Sequence, residues 1–179
     1  MLERFTDRLH LTRGEKSYAI AYAAVIAMSA GVTLVVASGV DGANILGLDP
    51  TLFTFWTVFA GGLAGGLSLR AARGWMGKPG ALGLSRAIVG SVAVAILAAI
   101  VAGTLIVPLY GTVYGPLLIV SEFIAKPWLA VAWFGVLIGG HYLMAVLEVE
   151  FAFGVSRSAN RRASEQLSSL SRAQLYRRN

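Results

Sequence analysis

The chain has 179 residues, 56% of them hydrophobic and only 13% charged, with a mean hydropathy of +0.70. A soluble domain carries about 25% charged residues, so this composition excludes an ordinary water-facing surface and reads as an integral membrane protein. A net charge of +6 and a pI near 10.1 raise a nucleic-acid partner, but the basic residues flank apolar segments with no aromatics interleaved, which argues for lipid headgroups instead.

Residues 1–16 form a charged lead. Leu2, Phe5 and Leu9 fall at helical spacing, with Arg4, Asp7 and Arg8 off that stripe, which predicts a short amphipathic helix on the cytoplasmic membrane surface. Thr12-Arg13-Gly14-Glu15 fits a capping box ahead of the first apolar run. That run, residues 17–40, has no charge. It exceeds the usual signal-peptide core of about 7–15 residues, and its lead mixes acids with bases, so it reads as a span.

Asp49-Pro50 predicts an N-cap with proline at the first helical position. The second span, 52–69, holds "AGGLAGGLSL", two overlapping GxxxG steps: Gly61 with Gly65, and Gly62 with Gly66. Glycines one turn apart strip side chains from the helix surface and let another backbone approach. The partner is either another subunit or this chain's own spans, where Gly31, Gly90 and Gly103 offer flat places. The spacing is no nucleotide loop. Gly74, Gly77, Pro79, Gly80 and Gly83 break the next connection, where Trp75 and Met76 are expected to dip into the interface. Tyr18, Trp56, Tyr110 and Trp128 near span ends fit the same role.

The third span, 87–107, is again uncharged. After it, "VPLYGTVYGPLLIVSEFIAKPW" is apolar but cut by Pro and Gly. Residues 116–125 allow a helix of about ten residues, too short to cross. It either lies flat with Glu122 in water or re-enters the membrane. The fourth span, 127–147, carries only His141. Each of the four windows approaches the about 20 residues that cross a hydrocarbon core, where only a helix satisfies its own backbone. Residues 152–179 are a basic tail that extends the last helix, lies on the membrane or stays disordered.

The fold class is therefore an all-α four-helix transmembrane bundle, residues 17–151, with a short interfacial or re-entrant helix between spans 3 and 4. All but Lys126 of the fifteen Lys and Arg fall on alternate sides of the weave. The positive-inside rule then places both termini and loop 70–86 in the cytoplasm. Arg70, Arg73, Lys78, Arg157, Arg161 and Arg162 become the headgroup contacts. With no cysteine, the chain itself offers no disulfide or thiolate metal site.

His141 is the ionisable group at depth. Three roles fit it. It can be a neutral interhelical hydrogen-bond partner of Ser29, Thr57 or Ser91. It can be a proton or substrate group, with Glu148 on the same helix face and Glu122 as a further candidate. Or it can be a ligand to haem or chlorophyll, or a contact to quinone. Glu148 and Glu150 also read simply as solvated helix ends. GxSxG and HExxH are absent, and no nucleophile–base spacing stands out.

The chain is accordingly expected to be a non-catalytic accessory, assembly or scaffold subunit of a larger complex in the bacterial cytoplasmic membrane, with anionic lipids and another membrane subunit as partners. Four spans in this orientation are also similar in topology to the small membrane subunit of tripartite (TRAP-type) carboxylate transporters, which would imply a transport role through His141 and Glu148. No motif carries that likeness. A redox or photosynthetic pigment-complex subunit is the third class.

Overall fold

The computed structural model of the protein describes residues 13–40 and 42–176, and past residue 150 the only side chain it describes is that of Phe153. The amphipathic lead and Thr12 of the capping box lie outside the described residues. Within them every regular element is helical: α1 (Arg13–Gly39), α2 (Gly42–Leu46), α3 (Pro50–Ala71) with a 3₁₀ turn after it (Ala72–Gly74), α4 (Ala81–Ile106), α5 (Tyr110–Ala125) and α6 (Pro127–Tyr176). Four segments are long and apolar enough to cross a membrane: Arg13–Gly39, Pro50–Gly74, Ala81–Ile106 and Pro127–Glu150. The chain is a multi-pass membrane protein.

The helix boundaries follow local chemistry. Asp49 Oδ1 accepts from the N–H groups of Thr51 at 2.9 Å and Leu52 at 3.1 Å, and Pro50, which has no N–H, opens α3. Pro127 opens α6 in the same way. That helix runs unbroken through 50 residues, so the tail's backbone extends the last span.

α1 packs against both α3 and α6, and α3 against α4; α4 and α6 touch sparsely, and α5 contacts both. Phe123 of α5 and Phe134 of α6 close that side, their rings 6.1 Å apart. The core is built on small residues, including Ala21, Ala64, Ala95, Ala98 and Ala102, so the helix backbones lie close together. Outside, Phe55, Leu82, Ile124 and Val131 are 71–80% exposed. In water such a surface would drive aggregation; in hydrocarbon it faces its solvent.

α5 is longer than the sequence predicts. It begins at Tyr110, and Pro116 sits inside it. A proline seven residues into a helix forfeits the one bond to the Thr112 carbonyl. Packing on α4 outweighs that loss. Gly103 of α4 faces Gly111 of α5 so closely that a Cβ built on either would fall on the other's backbone, and Gly115 meets the Ala99 carbonyl one turn further on. The hydroxyls of Thr104 and Thr112 are 2.8 Å apart beside this contact. The corner between α4 and α5 is a tight γ-turn. Tyr110 N–H donates to the Pro108 carbonyl at 2.9 Å across Leu109, which takes φ 69° and ψ −61°, a rare and strained conformation.

Candidate functional site: the buried histidine and its surroundings

His141 is 2% exposed. Its Nδ1 accepts a hydrogen bond from the backbone N–H of Gly77 at 3.0 Å. Gly77 belongs to the connection between α3 and α4 and has φ 82°, a conformation that suits glycine. A Cβ there would also sit 3.1 Å from Met144 Cβ. Because Nδ1 accepts, the neutral ring carries its proton on Nε2, an assignment that follows from the hydrogen bond itself. The ring of Tyr142 stands edge-on, 5.4 Å away.

The partners expected from sequence are otherwise engaged or elsewhere. Ser91 donates to the Ala87 carbonyl one turn back at 2.7 Å, and Thr57 Oγ1 has no partner; the Nδ1 of His141 takes a backbone N–H instead. The connection folds back over the end of the bundle and presents a backbone donor at the depth of His141. Met76 is correspondingly 2% exposed, buried in the core rather than dipping into the interface, while Trp75 remains 51% exposed. Trp56 donates from Nε1 to the Leu105 carbonyl at 3.0 Å and so ties α3 to α4.

The carboxylates separate. Glu148 is exposed and lies seven residues from His141, about 10 Å along the helix, too far for the two side chains to meet directly. Glu150 is half-buried. Its Oε2 accepts from Gly14 N–H at 2.8 Å, placing a carboxylate at the N-terminus of α1. Such an end carries unsatisfied N–H groups and partial positive charge. Glu150 is thus a cap for another helix rather than a solvated end. Glu122 pairs with Lys126 at 2.8 Å on α5, and its carboxylate lies against Gly39 at the end of α1.

Arg70, Arg73 and Lys78 are exposed at the same end as His141. The Arg73 guanidinium lies over the Tyr18 ring at 5.4 Å, and Tyr18 packs on Tyr22 at 4.7 Å. The side chains of Arg157, Arg161 and Arg162 lie outside the described set.

The two glycine steps point in different directions. Gly61 and Gly65 press against α1: a Cβ on Gly61 would meet Thr33 Cβ at 2.6 Å, and one on Gly65 would meet Ser29 Cβ at 2.5 Å. Gly62 and Gly66 are less tightly held: a Cβ on Gly62 would meet Ile26 Cγ2 at 3.3 Å, the Ile26 carbonyl at 3.8 Å and the Ala30 Cβ at 3.9 Å, and one on Gly66 would meet only the Ile26 side chain, at 3.4 Å. They floor an open groove of about 550 Å³ between α1 and α3, lined also by Tyr22 and Phe59. Of the other flat places, Gly31 faces open space, Gly90 meets Trp75, and Gly103 pairs with Gly111.

Among the described residues no group of three or more His, Asp or Glu could hold a metal ion. His141 lines neither this groove nor the apolar cavity at the other end of the bundle. Comparison with known protein families, curated proteins and solved structures finds no match to this chain.

Proposed function

We propose that the protein is a non-catalytic accessory or assembly subunit of a larger complex in the bacterial cytoplasmic membrane, and that a transmembrane helix of another subunit seats in the groove floored by Gly62 and Gly66. Both termini and the connection between α3 and α4 face the cytoplasm. Arg13, Lys16, Arg70, Arg73, Lys78 and Arg86 support that orientation, since all belong to the end of the bundle that holds His141.

The groove carries the reading. Of two equivalent glycine steps on one helix, Gly61 and Gly65 are pressed tightly by the chain's own α1, whereas Gly62 and Gly66 meet α1 only at 3.3 Å and beyond and floor a groove. A helix surface bare of side chains over one turn suits close approach by a second helix. The ionisable groups nearby support it further, because His141 and Glu150 are engaged in holding this fold together.

Gentle purification of the tagged full chain tests the proposal. Wild type should retain a larger membrane protein at fixed stoichiometry. Gly62→Leu with Gly66→Leu should lose it while remaining folded, since a Cβ at Gly66 meets Ile26 at an ordinary 3.4 Å and one at Gly62 asks Ile26 to shift by only a few tenths of an ångström. Unchanged complex on a native gel would reject the groove as the contact. Ion or substrate flux through liposomes holding the chain alone, reduced by His141→Ala, would mark a transporter instead. Haem or chlorophyll absorption in the isolated chain would mark a pigment subunit.

A further inference from the structure

At the end of the bundle away from His141, α1, α2, α3, α4 and α5 enclose a partly open cavity of about 200 Å³. Its lining is almost wholly apolar and includes Val36, Ala37, Phe53, Ala102, Ile106 and Leu118. The hole has a structural origin. Gly103, Gly111 and Gly115 hold α4 and α5 backbone to backbone, so these walls cannot move inward. The same glycines supply no side chain, and Ala99 and Ala102 only a methyl group, to fill the space.

Such a space does not suit water. A buried water needs two to four polar partners, and the one hydroxyl in the lining, Thr33, already donates to the Ser29 carbonyl at 2.8 Å. An empty hole forfeits dispersion contacts along its lining. The rim differs from the interior. On α5, Glu122 follows Leu118 and Ile119 by one turn and pairs with Lys126, and its carboxylate lies against Gly39, between the lining residues Val36 and Ala37 of α1 and Val40 just after it. An apolar slot with a charged pair at its edge matches an amphiphile.

We propose that this cavity is a lipid site that takes one hydrocarbon chain of a membrane amphiphile, with its polar end toward the Glu122–Lys126 pair. The chain belongs either to a phospholipid or to a free fatty acid. This site is separate from the glycine groove, and nothing in it depends on the accessory-subunit reading.

Photolabelling of the full chain in nanodiscs tests it. One arm uses palmitic acid with a mid-chain diazirine, and the other a phosphatidylglycerol carrying the same modified chain. Adducts should saturate at one per protein and map to Val36, Ile106 or Leu118, and the arm that saturates at lower probe names the source. Ala37→Phe and Ala102→Leu, each made singly, should cut these adducts about tenfold by removing buried hydrocarbon contact, while the melting curve of the protein holds. Labelling of wild type that rises without saturation and spreads over outward-facing Phe55, Leu117 and Val131 would overturn the proposal. So would cavity adducts that neither folded filling variant reduces.

Discussion

The two ends of the bundle are fastened by different means. At the basic end, long side chains reach between elements: His141 on α6 holds the connection after α3 through Gly77, and Glu150 on α6 caps α1 through Gly14. At the other end, α4 and α5 meet through backbone and glycine, around a strained turn at Leu109 and beside an apolar cavity. In lipid neither end gains from the hydrophobic effect between helices, so specific hydrogen bonds and close packing carry association. The basic end leans on the hydrogen bonds, and the other on backbone packing, to which the Trp56–Leu105 and Thr104–Thr112 hydrogen bonds add. Damage at the basic end should remove single hydrogen bonds, whereas damage at the other end should separate helices.

The largest effect is therefore expected from Gly103→Leu. The new side chain would land on the backbone of Gly111, which cannot yield as a side chain can. The loss should be about 3 kcal/mol, the upper part of the range for overpacking, read as a shift in the unfolding transition in mixed micelles. A loss below that of any basic-end variant would undo the contrast between the ends.

Next comes His141→Leu. It leaves the Gly77 N–H buried without an acceptor, a cost of about 1–3 kcal/mol. His141→Asn puts an amide oxygen near the position of Nδ1 and should recover part of that loss. Equal losses from both variants would show that the ring's volume matters and its hydrogen bond does not. The smallest effect is expected from Glu150→Gln, which keeps an acceptor for Gly14 but removes the charge at the α1 N-terminus. About 0.3–1 kcal/mol should go, and Glu150→Ala should cost more, because it removes the acceptor too.

Much of the frame was legible in the sequence because it rests on local patterns. Hydrocarbon length selects the four windows, and Asp49-Pro50 announces the start of α3 through chemistry confined to a few residues. The close packing of Gly61 and Gly65 also follows from spacing alone. Spacing could not say that Gly62 and Gly66, one residue on, would floor a looser groove beside Ile26, because that depends on the angle at which α1 crosses α3.

The site was less legible for a definite reason. The partner of His141 is a backbone N–H, a group every residue but proline carries, so no side chain marked it. Gly77 at positive φ was the available trace, and it read only as a loop breaker. Glu150 was hidden in the same way, since its partner is the amide of Gly14. The start of α5 at Tyr110 was obscured by Pro116, a local signal that the glycine contact with α4 overrides. Gly111 and Gly115, four apart before that proline and facing Gly103, were the sequence trace of that contact.

All these assignments assume that the chain crosses the bilayer four times, with the connection before α3 and the connection after it on opposite sides. The native chain has no cysteine, so one introduced thiol reports without background. Leu48→Cys and Lys78→Cys both lie at exposed positions. With a membrane-impermeant maleimide on intact cells, the thiol at position 48 should label at once and that at 78 only after permeabilisation. Labelling of both from the same side would contradict the bundle's passage through the membrane, and with it the depth given to His141.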